Sequence, residues 1–137
     1  MKTFTLDSNI MNLEGAREAD MICFVPTVES LVSCRTVWRG VLIDALRRDI
    51  PISAVIKDIG NFLDPNQYDS LCEMLSYVNF IFTDSRSAEI FLKEKEDDYD
   101  DEEILRAIHK RFGVTSVVLT DAGLAFDGEK ITPFEGE

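Results

Sequence analysis

This sequence has few of the features that announce a chemistry. Its seven glycines, at positions 15, 40, 60, 113, 123, 128 and 136, never fall within two positions of one another. No GxG, GxxG or Walker-type loop can be written, and backbone cradles for phosphate depend on closely spaced glycines. His109 is the single histidine; set between Ile108 and Lys110, it is expected to cap or solvate a helix end rather than to catalyse. Cys23, Cys34 and Cys72 lie scattered among apolar neighbours with no CxxC pair, so no metal site is expected. The three thiols are read as free and buried, which suits a reducing, cytoplasmic setting. No apolar run is long enough for a membrane span, and Met1-Lys2-Thr3-Phe4-Thr5 lacks a secretory h-region. Cations are scarce as well: 14 Lys and Arg stand against 26 Asp and Glu, for a net charge of −12. That balance argues against nucleic acid as a partner, because binding a phosphate backbone relies on clustered Lys and Arg.

What is present is the material of one globular domain. The 137 residues, 45% of them apolar, can build one substantial core, and neither a linker nor an internal repeat divides 1–137. Much of the negative charge sits in EKEDDYDDEE, Glu94 to Glu103. The run lacks the sixth-position glycine of an EF-hand loop. It reads as a solvated loop entering a helix, where negative charge is favourable.

Apolar spacing alternates between strand and helix along the chain. Ala19 to Pro26 reads as a buried strand, and Val28 to Arg48 as one long helix with Leu31, Trp38, Leu42 and Ala45 inward. Pro51 to Lys57 is the next strand. Asp64-Pro65-Asn66-Gln67 then supplies an N-cap, a proline at the first helical position and a capping-box glutamine. Val78 to Phe82 is a third strand, followed by a short amphipathic helix. A further helix starts near Asp100 or Asp101 and stops at Gly113, and Val114 to Thr120 makes a fourth strand. Leu124 to Thr132 reads as a hairpin with Asp127-Gly128 as a two-residue turn. Strands alternating with such helices predict an α/β fold: a three-layer α/β/α sandwich with a mainly parallel, Rossmann-like sheet, covered on both faces, and a C-terminal β-hairpin.

Several of these segments, in this order, resemble the ribokinase-like (PfkB) sugar kinases. Val78 to Leu92 is similar to the strand that leads into that family's Asn-x-x-Glu motif. Val114 to Gly123, VTSVVLTDAG, is similar to its strand before a Thr-x-Gly turn, and Ile52 to Asp58 to the strand ending in Asp-x-Asn. The resemblance implies nucleotide-site positions at Asp58, Asp84, Thr120 and Gly123. It also shows departures: Asp84 stands for the asparagine and Ser87 for the glutamate, with Glu89 two residues on and turned to another side of a helix. Gly60 replaces the asparagine of Asp-x-Asn, and Ala122 the glycine of Thr-x-Gly. The family's opening strands with a Gly-Gly sugar motif and lid are not expected before Ala19. Its Gly-Ala-Gly-Asp motif, which supplies anion hole and base, is not found. The resemblance therefore implies the middle portion of such a kinase without its working residues.

The expectation is a non-catalytic, pseudokinase-like binding or assembly domain, with no cofactor of its own. A homo-oligomer or a protein partner is expected, formed through a sheet edge or the helix carrying Trp38. Two alternatives remain open at this stage. One is a carbohydrate or nucleoside kinase-like protein that still binds ATP with magnesium, or a sugar. The other is a flavodoxin-like regulatory domain, which strand order would distinguish.

Overall fold

The computed structural model describes residues 2–6, 15–57, 59–60, 62–92 and 100–134. The first strand comes earlier than expected. Thr3-Phe4-Thr5-Leu6 alternates with period two, and as β1 (Thr3–Leu6) it pairs in parallel with β2 (Met21–Phe24) over four residues. A strand therefore precedes Ala19 after all, with Leu6 buried and Thr3 and Thr5 exposed. Beyond β2 come α1 (Val28–Ser33), α2 (Arg35–Arg47), β3 (Ile52–Ile56) and α3 (Pro65–Leu75). Next follow β4 (Phe80–Thr83), α4 (Ser85–Leu92), α5 (Asp101–Phe112) and β5 (Ser116–Leu119). The hairpin β6 (Leu124–Phe126) and β7 (Ile131–Pro133) completes the order.

The expected long helix is two helices. Thr27 opens α1 through a capping box with Ser30, and the path breaks at Cys34 (φ −111°, ψ 21°). Local side chains account for the break: the Ser33 hydroxyl donates back to the Glu29 carbonyl, and the indole N–H of Trp38 donates to the Leu31 carbonyl at 3.1 Å. Trp38 is wholly buried against Phe24, ring centroids 5.9 Å apart, and so faces inward as expected. The other helix boundaries follow their caps. Asp64 accepts from Gln67 N at 2.8 Å with Pro65 at the first position, and Asp100 accepts from Glu103 N at 2.8 Å. Gly113 ends α5 in the left-handed region at φ 67°, where a side chain would be strained. His109 Nδ1 lies 2.7 Å from the Val114 carbonyl, tying the end of α5 to the approach to β5.

The sheet has seven strands in the order β1-β2-β3-β4-β5-β6-β7, parallel through β5 and antiparallel thereafter. This strictly sequential order differs from the 2-1-3-4-5 order of flavodoxin-like sheets. The α/β class, the mainly parallel sheet and the C-terminal hairpin are as expected from sequence. The hairpin turn is longer than the two residues expected. Residues 127–130 connect the strands, and the Asp127 carboxylate accepts from Glu129 N and Lys130 N, each at 2.9 Å.

Sequential order has a consequence for layering. Each βαβ crossover is right-handed, and when every step moves the same way along the sheet, every crossover passes over the same face. Register and burial agree. Leu6, Phe24, Ala54, Ile81, Val117 and Phe126 stand in one row across six strands, and all are buried. The row beside it, Val55, Phe82, Val118 and Ala125, points to the other face and is only half-buried. Among the described residues the helical cover lies on one face, so two layers of the expected three-layer sandwich are described, because same-direction crossovers all return over one side. The three cysteines are free, as expected, but each is half-buried rather than enclosed.

One polar cluster fastens the helical layer. The Glu73 carboxylate on α3 accepts from Arg35 Nε at 2.9 Å, from Arg39 Nε and Nη2 at 2.6 Å each, and from the Tyr77 hydroxyl at 3.1 Å. Both arginines stand on α2. Their hydrogen bonds, Arg39's foremost, hold the Glu73 carboxyl down at about 2, against the opposing push of burial. A depressed folded-state pKa contributes stability above the ordinary value of 4.5, lost as pH falls through about 2. Glu73→Gln is expected to cost about 1–2 kcal/mol near neutral pH, allowing for partly solvated arginines. It should also flatten the pH dependence of urea-unfolding stability between those two values. Parallel pH profiles for the variant and the unaltered protein would contradict this assignment.

Candidate functional site

In open α/β sheets the strand carboxyl ends are where loops converge and ligands gather. Here the ends of β3, β4 and β5 border a cleft of about 370 Å³ lined by Ile59, Gly60, Asp84, Arg86, Ser87 and Asp121. Of the four positions singled out from sequence, Asp84 lines this cleft. Asp58 lies outside the described residues. Thr120 follows β5 and is tied to the strand beside it: its amide donates to the Thr83 carbonyl at 2.9 Å and its hydroxyl to the same oxygen at 3.4 Å. Gly123 closes the turn after Thr120 in the left-handed region, at φ 68°. Its amide donates to the Leu119 carbonyl at 3.0 Å and its carbonyl accepts from Phe134 N at 2.8 Å. The Gly123 amide is thus engaged in the turn that sends β5 back as β6, not directed at the cleft.

The beginning of α4 is the element of this edge that could attract an anion, since helix N-termini carry unsatisfied N–H groups and partial positive charge. The protein's own carboxylates fill that role. Asp84 Oδ1 accepts from Ser87 N at 2.6 Å, and the Asp84 carbonyl accepts from Ala88 N at 3.0 Å. Asp121 Oδ1, arriving from the loop after β5, accepts from Ser85 N at 3.1 Å. The Ser85 hydroxyl lies 3.1 Å from Asp121 Oδ1 and 3.2 Å from Asp101 Oδ1. One hydroxyl proton serves two carboxylates, so Ser85 joins the starts of α4 and α5 to the β5–β6 turn. Ser87, at the position of the expected glutamate, is 2% exposed. Thr83, at the end of β4, is buried with its hydroxyl donating to the Ile56 carbonyl at 2.7 Å. Among the described residues no group of three His, Cys, Asp or Glu side chains is arranged to hold a metal ion.

Ile59, Arg86 and Asp121 are the cleft residues that sequence reasoning missed. Asp121 sits directly after Thr120, at the variable position of a Thr-x-Gly pattern, and its role depends on Ser85, 36 residues away in sequence. A second, smaller cleft of about 250 Å³ lies at the opposite, amino edge, lined by Leu46, Asp49, Ile50, Pro51, Asn79, Phe80 and Thr115.

The fold is shared with solved kinases. Hydroxyethylthiazole kinase of Pyrococcus horikoshii is similar with a TM-score of 0.65 at 15% identity, over 94% of this chain and 59% of its own. The last common ancestor of HMPPK and PLK/HMPPK vitamin kinases gives 0.63 at 15% identity, over 93% and 58%. A PfkB protein of Polaromonas sp. JS666 gives 0.65 at 14% identity, over 89% and 42%. This chain has the ribokinase-like fold. It spans less than three fifths of the length of each of these three proteins. No family model matches the sequence, and no curated protein matches it. At such identities the likeness lies in backbone path and not in side chains.

The geometry at α4 makes Asp84 a helix cap. Asp84→Ala is expected to lower stability by about 1 kcal/mol, while Asp84→Asn, which still accepts from Ser87 N, should lose less than half of that. Urea-unfolding midpoints measure both. Equal losses for the two variants would contradict a capping role.

Proposed function

We propose that this chain is a kinase-derived domain that does not transfer phosphoryl groups on its own and serves in binding or assembly. One observation carries the reading: the α4 start at the carboxyl edge is capped by Asp84 and Asp121, so negative charge of the protein's own stands where an incoming anion would be drawn. Phosphoryl transfer rests on positioning and on donors and metal that stabilise developing negative charge. Two carboxylates and Arg86 line the cleft, which makes it a poor environment for a polyphosphate. The spacing of the glycines supports the same reading, since no backbone nest can be written from them.

A second reading has a specific observation in its favour. The cleft volume of about 370 Å³ falls within the range of small-molecule sites, so residual binding of ATP with magnesium, or of a sugar or nucleoside, would occur there. Residues Asp84 and Asp121, with Thr120 beside them, would face such a ligand.

No phosphorylated product is expected above a no-protein control when the chain is incubated with ATP, magnesium and an acceptor panel. Fructose, hydroxyethylthiazole and pyridoxal belong in that panel because fold neighbours carry those names, alongside common nucleosides. Product above control overturns the proposal. Calorimetry and amide shifts of Gly60, Ser85 and Ser87 during an ATP–magnesium titration separate the two readings: saturable shifts at those amides support residual binding, and none supports the first.

A further inference from the structure

The smaller cleft lies just before the amino ends of β3, β4 and β5, on the edge opposite the candidate site. Every residue that lines it belongs to a described segment. Leu46, Ile50, Pro51 and Phe80 make its sides largely apolar, and it holds one charged group, Asp49. That residue is an unusual choice for its place. It follows α2 in a Schellman motif: Asp49 N donates to the Leu46 carbonyl at 3.2 Å and Ile50 N to the Ala45 carbonyl at 2.9 Å. The motif requires a left-handed residue, and Asp49, at φ 56°, is the one non-glycine residue with positive φ among those described. Glycine or asparagine usually fills this position. A carboxylate there also stands at the negative pole of the helix that it ends, which costs stability. Two local preferences are broken at one residue, and that residue lines a cleft. Such breaks in a folded protein gather at functional positions.

We propose that this amino-edge cleft binds a small organic cation, an alkylammonium or alkylguanidinium group on a short apolar body, with Asp49 as its counter-ion. The site is separate from the carboxyl-edge cleft and does not rest on the function proposed above.

Charge decides the sign of the ligand. The Asp49 carboxylate and the carboxyl-terminal pole of α2 both contribute negative potential. The cation next to Asp49 in sequence is engaged elsewhere: Arg48 Nη2 lies 2.8 Å from Asp44 Oδ2 and donates to the Ala16 carbonyl at 3.2 Å. Among the described residues no ion pair or hydrogen bond takes up the Asp49 carboxylate. An anion would be repelled, and a neutral ligand would leave the carboxylate without a charged partner. A divalent metal ion needs several oxygen ligands, and one carboxylate among apolar sides does not supply them. Volume sets the size. The cleft measures about 250 Å³, below the ~300 Å³ at which drug-sized sites begin, so the ligand is a fragment of a few atoms around one charge. The floor is fixed in advance by Asn79. Its Oδ1 accepts from Ile52 N at 2.9 Å, its amide donates to the Ile52 carbonyl at 2.8 Å, and its carbonyl accepts from Thr115 N at 2.9 Å. Walls tied together in this way from β3 to β5 lose little freedom on binding.

Butylammonium and butylguanidinium chlorides are the probes, with 1-butanol as the uncharged control. Amide resonances of Ile50, Phe80 and Thr115 are expected to shift saturably with at least one cation, at a Kd of ~1 mM or tighter, which the affinity per atom of small ligands permits. Butanol should leave them in place over the same range. Asp49→Asn keeps a residue suited to the left-handed region and removes the charge. It should weaken the cation roughly tenfold or more and unfold at the same or a higher urea concentration. Asp49→Gly should do likewise. Unmoved resonances, equal shifts with butanol, or a folded Asp49→Asn of unchanged affinity would each overturn the proposal. So would a loss of stability in Asp49→Gly, since the side chain would then serve the fold. A response spread evenly over the acidic helices also counts against it, as non-specific attraction to a chain of net charge −12. Shifts at Gly60, Ser85 and Ser87 report the carboxyl edge instead, so this site and the function proposed above stand or fall separately.

Discussion

The constraint on which this structure depends is the handedness of its crossovers. From β1 to β5 every strand is parallel to its neighbour and follows it in sequence. A right-twisted strand feeding a right-handed helix returns to the sheet on one side only. With no reversal of strand order, α1 to α5 are committed to one face. That commitment explains why the strands show buried residues at alternate positions, although parallel sheets usually read as continuous apolar runs because they are covered twice. It also places the core between one sheet face and one helical layer, with Phe24, Trp38, Phe91 and Met74 among its largest wholly buried side chains.

The same topology brings the carboxyl ends of β3, β4 and β5 side by side, and so creates the cleft. The helix that starts at this edge has N-terminal amides that need acceptors. A start of α4 left open would offer N–H groups to a ligand; in this molecule Asp84 and Asp121 take them, and Ser85 links Asp121 to Asp101 at the start of α5. These carboxylates thereby cap the starts of two neighbouring helices. The α4 amides at Ser85 and Ser87 are satisfied within the protein. The Glu73 cluster shows the contrasting case: its carboxylate meets two arginines rather than helix amides, and serves to hold α3 to α2.

The chain determines its local structure almost directly. Capping boxes at Asp64 and Asp100, the proline at 65 and the glycine at 113 fix helix ends through hydrogen bonds and dihedrals spanning three or four residues, which sequence displays openly. Alternating apolar residues fix the strands, although β1 shows little signal in sequence because a four-residue strand is defined mainly by its partner. The break at Cys34 was not legible, because the Trp38 indole that takes the Leu31 carbonyl does so only after Trp38 has packed on Phe24. Asp121 was missed for a similar reason: its carboxylate reaches Ser85, 36 residues away, across two neighbouring strands. The sequence alone therefore determined elements, caps and the absence of a glycine cradle, since these depend on neighbours along the chain. Only the tertiary structure decided which carboxylates meet at the cleft and which face of the sheet the described helices cover, since strand order and crossover hand act between residues that the sequence holds far apart.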